Sequence, residues 1–157
     1  MRKIVIELDQ KKHADFLRDW LDLEKLAAVE VSSEQETYSI ESALLPGKSA
    51  GWRASKPGRQ VIRLLFDTPQ KIQRIRLTFE ELEVERTQEV VLRWSQGSGR
   101  SYHEIVRQQW NFSPKGATRE VEDYHCELSG VMILELSINP DISGGDALAS
   151  LKAMRLA

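Results

Sequence analysis

Alternation of apolar and polar positions dominates this chain. Ile75, Leu77 and Phe79 point one way while Arg74, Arg76, Thr78 and Glu80 point the other, the period of two that a half-buried strand requires. Just upstream, residues 60–66 put Ile62, Leu64 and Phe66 on one face and Val61, Arg63 and Leu65 on the other. That pattern predicts a central strand covered on both sides, and Pro69 reads as the turn between the two. Further extended runs are predicted at 3–8, 28–31, 84–95, 102–111, 120–128, 132–138 and 147–156. Met132, Leu134, Leu136 and Ile138 form the clearest buried stripe, and Tyr124, Cys126 and Leu128 share a face away from Asp123 and His125. The phase of 102–111 is ambiguous. Residues 38–45 are extended or a single helical turn. Ser129-Gly130 reads as a turn, 46–59 and 112–118 as loops, and the glycines of 96–100 as a hairpin connection.

A helical period occurs once, over residues 13–28. Phe16, Trp20, Leu23 and Ala27, widened by Leu17 and Leu21, predict an amphipathic helix packed on the rim of the core, with Trp20 inside the apolar stripe. About seven to nine strands with little helix between them imply an all-β antiparallel sandwich or jelly roll, because a βαβ chain needs a helix between successive strands.

The chain's 157 residues are one domain's worth, and 41% apolar with 29% charged residues is an ordinary globular composition. Twenty-two basic against 24 acidic residues give a formal charge of −2, which disfavours nucleic acid as the partner. Cys126 is the single cysteine, so no internal disulfide forms. The apolar run at Ile4–Ile6 is too short for a signal-peptide core, and no 18-residue apolar stretch exists to span a bilayer. These features predict a cytoplasmic protein.

The succession of segments resembles the discoidin-like, or galactose-binding-like, jelly-roll family, which includes coagulation-factor type C domains and many carbohydrate-binding modules. The resemblance lies in Ser32-Ser33-Glu34, Tyr38-Ser39-Ile40-Glu41-Ser42-Ala43, Gly51-Trp52-Arg53-Ala54-Ser55, residues 60–67, Pro69-Gln70-Lys71-Ile72, Ile75-Arg76-Leu77 and the closing run 149–156. It spans residues 27–157 and leaves 1–26 as an N-terminal strand-and-helix extension. It implies a protein that binds rather than catalyses, through loops at one end of the sandwich: 46–59, 96–101 and 112–118. Many members also carry Asp-Gly before the tryptophan, which helps hold a structural calcium ion. Here Pro46-Gly47 stands at that place, so no cofactor is assigned, and calcium would depend on backbone carbonyls and Glu41.

Trp52 with Arg53, Lys56 and Arg59 is the first candidate ligand-binding group: an indole to stack on a ring, and cations to clamp a carboxylate or phosphate. Arg107, Trp110 and Asn111 are candidates for the opposite wall of a sugar site. The competing readings are a rim tryptophan at Trp52, solvated loop cations, and a core Trp110 with Asn111 capping a turn. Arg74 and Arg76, with Arg63 or Arg93 as neighbours, either line a cationic groove or pair with Glu80, Glu83 and Glu85. An enzyme finds little support. His125 and Asp123 are a tolerable base–orienter pair, but Cys126 points to the opposite face, and a metal site from His103 and His125 needs adjacent strands. A non-catalytic module whose leading ligand is a carbohydrate is therefore the reading. An intracellular protein-interaction or scaffold domain comes second, and nucleic-acid binding third.

Overall fold

Two strands of 21 residues, β3 (Gln60–Glu80) and β6 (Arg119–Asn139), pair antiparallel from end to end and organise the rest. The computed structural model describes residues 20–97 and 100–157. Six further strands are described: β1 (Ala27–Val31), β2 (Trp52–Pro57), β4 (Arg86–Ser95), β5 (His103–Phe112), β7 (Leu148–Leu151) and β8 (Ala153–Leu156). Helix is confined among the described residues to two single turns, α1 (Leu23–Leu26) and α2 (Glu41–Leu44).

The turns read at Pro69 and at Ser129-Gly130 are corrected by this pairing. Both lie inside continuous strands, and Gln70 pairs with Val131 where the register of β3 and β6 slips three times between Leu65 and Arg74. Proline cannot donate to a ladder, and Gly130 adopts φ +73°, so each breaker makes a bend rather than a chain reversal. The bends divide the two strands between two layers. One layer has the order β1-β3-β6-β4-β5 and uses residues 60–66 of β3 with 131–139 of β6. The other pairs residues 72–80 of β3 with the first half of β6 and, at the edge, with β8.

The layers face each other. Phe79 of β3 packs 5.1 Å from the ring of Trp110 on β5, and Tyr124 of β6 donates its hydroxyl to Gln108 of β5 at 2.5 Å. Between them lie Ile62, Leu64, Phe66, Ile72, Ile75, Leu77 and Phe79 of β3, Val90 and Leu92 of β4, and Leu134, Leu136 and Ile138 of β6, all buried. Each such side chain contributes about 1.5–3 kcal/mol by leaving water. The outward face of residues 60–66 is half-buried, so β3 is central in pairing and enclosed on one face there. This is the antiparallel jelly roll anticipated from the alternation.

The helix read over residues 13–28 is corrected where it is described. Trp20, Leu21 and Asp22 are not helical, α1 is one turn, and Ala27 and Ala28 belong to β1 because their backbone finds Phe66 and Leu65 of β3 as partners. Ladder bonds to an existing strand outweigh helix propensity over so short a run. Trp20 is not core: its ring lies beneath the guanidiniums of Arg74 and Arg76, at 5.0 and 5.6 Å. The rest of that helix and the strand read at 3–8 fall outside the described residues. The ambiguous phase of 102–111 has a cause as well. Leu92 pairs with Val106 and Arg93 with Glu104, so Ile105 is a bulge that resets the alternation. Beyond it Val106, Gln108, Trp110 and Phe112 turn inward. The closing run is two strands, β7 on β2 and β8 on β3, parted at Lys152.

Candidate functional site

Among the described residues, which leave out 98 and 99 of the 96–101 connection, the three loops assigned to one end of the sandwich do not meet. The connection at 96–101 leads into the start of β5 and 112–118 leaves its far end, so they stand at opposite ends of one strand. The loop read at 46–59 is largely β2, whose Trp52 and Ala54 face inward and whose Arg53 and Ser55 face outward. Trp52 is 1% exposed and donates its indole N–H to the Ser33 carbonyl at 2.9 Å, so its ring offers no face to a ligand. Arg53 lies over the Tyr38 ring at 4.6 Å, and Lys56 is exposed on the same strand. Trp110 is wedged between Phe79 and Phe112, and its indole N–H is buried without a hydrogen-bond partner among the described residues. Asn111 faces outward, where its amide oxygen accepts from the Thr87 hydroxyl.

Arg59 and Arg107, 48 positions apart in sequence order by their numbers, are brought together. The outward side chains of the β3-β6-β4-β5 layer form a cleft of about 360 Å³ lined by Arg59, Glu89, Val91, Arg93, Arg107, Ser137 and Asn139. Register explains the meeting: Val91 of β4 stands opposite Arg107 on one side and Ser137 on the other. Arg59 reaches in from the β2–β3 connection and donates Nε to Ser137 Oγ at 2.6 Å.

Most of the cleft's charges are already fixed by partners. Two residues along β6 from Ser137, Glu135, whose side chain is 1% exposed, accepts from Arg63 Nε at 2.8 Å and from Arg93 Nε at 3.0 Å. Burial pushes this carboxyl up, but the hydrogen bonds and charges of Arg93 and Arg63 outweigh it and hold the group below its ordinary value. Arg93 also stacks over Tyr102 at 4.8 Å. Arg107 is paired to Glu89 and Glu104, each at 3.0 Å, and Gln109 donates to Glu89 at 2.7 Å. Arg59 is different: among the described residues no carboxylate lies within ion-pair distance of it.

Glu89, Ser137 and Asn139 were not singled out from the sequence, and Arg93 only as a neighbour of Arg74 and Arg76, though a signal existed. Glu135 interrupts the stripe Leu134, Leu136, Ile138 on its polar side, and Arg63 and Arg93 are the cations that register aligns with it. Arg74 and Arg76 belong elsewhere and do not pair with Glu80, Glu83 or Glu85. Both bind Asp123, at 2.6 and 2.9 Å.

That pairing removes the base–orienter reading, since Asp123 holds two arginines rather than His125. His103 stacks on Trp94 at 5.2 Å, and among the described residues no three His, Cys, Asp or Glu side chains stand together to hold a metal. Cys126 donates weakly to the Ile72 carbonyl at 3.6 Å, and burial pushes its thiol up, away from the reactive thiolate. No helix among the described residues is long and apolar enough to cross a membrane.

Two of the backbone carbonyls that a calcium ion ahead of Trp52 would draw on are already occupied. The Ala43 and Leu45 carbonyls there accept hydrogen bonds from Arg155 of β8, at 2.9 and 3.5 Å. A divalent cation on the same carbonyls would sit against a guanidinium, and like charges at that separation repel.

No protein-family model matches the sequence, and no curated protein matches it either. Solved structures match by shape. The family 32 carbohydrate-binding module of Clostridium perfringens NanJ, in complex with galactose, aligns with a TM-score of 0.63 at 10% identity over 88% of this chain and 97% of that one. The CBM32 of AlyQ, in complex with 4,5-unsaturated mannuronic acid, gives 0.62 at 14% identity, covering 85% and 95%. The CBM32-1 and CBM32-2 domains of C. perfringens ZmpB give 0.68 at 12% identity, covering 99% of this chain and 41% of that one. The fold is thus the jelly roll that these modules share.

Proposed function

We propose that this chain is a non-catalytic carbohydrate-binding module, and that its sugar lies on the sheet face over Val91 rather than on loops at one end. The cleft carries the reading. Its donors and acceptors, Arg107, Arg93, Ser137, Asn139 and Glu89, are held by β-strand backbone, and the arginines are further fixed by ion pairs. A polar surface whose groups are already oriented binds hydroxyls with little further ordering cost. Val91, 7% exposed, closes the cleft from below and leaves recognition to the polar groups around it. Affinity is modest, because so small a cleft buries little area. The likeness to modules solved in complex with galactose and with an unsaturated mannuronic acid supports the ligand class.

The test is calorimetric titration of the wild type and Arg107→Ala against a panel of neutral and acidic oligosaccharides. Arg107 is 56% exposed, so its loss costs the fold less than about 1 kcal/mol. The wild type binds at least one sugar, and the variant binds it about tenfold more weakly, a change of ~1.4 kcal/mol. A wild type that binds no sugar, or a folded variant that binds as tightly as the wild type, refutes the proposal.

A further inference from the structure

We infer that the cleft selects an acidic sugar, with Arg59 as the receptor for its carboxylate; this rests on the carbohydrate reading above and narrows it. The walls carry three guanidiniums and one carboxylate. Two of the three are engaged: Arg93 by Glu135 beside it, Arg107 by Glu89 and Glu104. Glu89 is in turn held by Arg107 and Gln109, so the one carboxylate of the lining is already neutralised toward an incoming anion.

Arg59 is the cation left over. Its Nε is occupied by Ser137 Oγ at 2.6 Å, which fixes the plane of the guanidinium. The two terminal amino groups remain, with no protein acceptor recorded for either among the described residues. That edge is the fork geometry that receives both oxygens of a carboxylate, and pre-orientation by Ser137 reduces the side-chain freedom lost on binding. A neutral sugar leaves this charge with water alone. A uronic acid supplies the counter-ion, while its hydroxyls meet Asn139, Ser137 and Arg107.

The probes are a galacturonate oligosaccharide and its methyl ester, which keeps every ring and removes the charge. Both are titrated into the wild type, Arg59→Gln and Arg59→Lys, with thermal melts to establish that each variant is folded. The wild type binds the acid about tenfold more tightly than the ester, a preference that shrinks as salt is raised. Arg59→Gln abolishes the preference, and Arg59→Lys, which keeps the charge without the fork, retains part of it. Equal binding of acid and ester by the wild type, or a preference that survives in folded Arg59→Gln, overturns the acidic-ligand inference while leaving carbohydrate binding intact. Binding of neither probe, with a neutral sugar bound elsewhere in the panel, also overturns it alone. Binding of no sugar at all removes the parent reading as well.

Discussion

Asp123→Asn tests the pairing of the second layer most sharply. Asp123 on β6 stands opposite Arg76 of β3 and accepts from Arg74 at 2.8 and 2.6 Å and from Arg76 at 3.3 and 2.9 Å. The Arg74 hydrogen bonds lead in holding its carboxyl down; burial opposes them, Arg76 adds to them, and the pKa falls from 3.8 to about 2. A depressed folded value means the ionised carboxylate stabilises the native state at neutral pH. That stabilisation is lost as the pH falls through the window between 3.8 and about 2. A fall of this size corresponds to about 2 kcal/mol before screening, and the partly exposed arginines reduce it to about 1–2 kcal/mol. For a domain of this length that is a drop in Tm of roughly 3–8 °C. Thermal denaturation followed by circular dichroism at neutral pH measures the drop. Urea titrations at successively lower pH then follow the gap between wild type and variant, which narrows through the same window. A variant with unchanged Tm at neutral pH, or a gap that persists undiminished at the acid end, refutes the linkage.

Three further outcomes follow from side chains outside the cleft. Trp52→Phe removes the indole bond to Ser33 and part of a fully enclosed ring, so chemical denaturation registers a loss of about 1–3 kcal/mol while sugar affinity is unchanged. A loss of affinity in the folded variant would restore Trp52 to the binding surface. Arg155→Met frees the Ala43 and Leu45 carbonyls and lowers stability by about 1–2 kcal/mol. Calcium and EDTA leave the wild-type Tm within about 1 °C of each other; a calcium-dependent wild-type melt contradicts the guanidinium's occupation of those carbonyls.

The alternation of β3, β4 and β6 was legible because one face of each strand is buried and the period survives in a single sequence. Pro69 and Gly130 were misread because a breaker inside a strand and a breaker at a turn look alike locally. The distinction lies in the pairing of Gln70 with Val131, a contact no local window contains. Trp52 was misplaced for a related reason. Gly51 and Pro57-Gly58 bracket it with turn residues, yet Trp52 and Ala54 already alternate with Arg53 and Ser55, and β7 is the partner that makes the segment a strand. Arg59 and Arg107 were both recognised, Arg59 among loop cations and Arg107 on the strand read as the opposite wall of a sugar site. Only the strand order places them on one face, and the bulge at Ile105 decides which way Arg107 points.

Sharing two bent ribbons between both walls has a consequence for the order of assembly. As the chain emerges during synthesis, β1 can join β3 and β5 can join β4, but the strand that unites these pairs, β6, comes later than all four. Its first half meets the second half of β3 and its second half then bridges β3 to β4. The β1–β3 and β4–β5 pairs thus keep unpaired edges until β6 is made, and β8 joins β3 only after it.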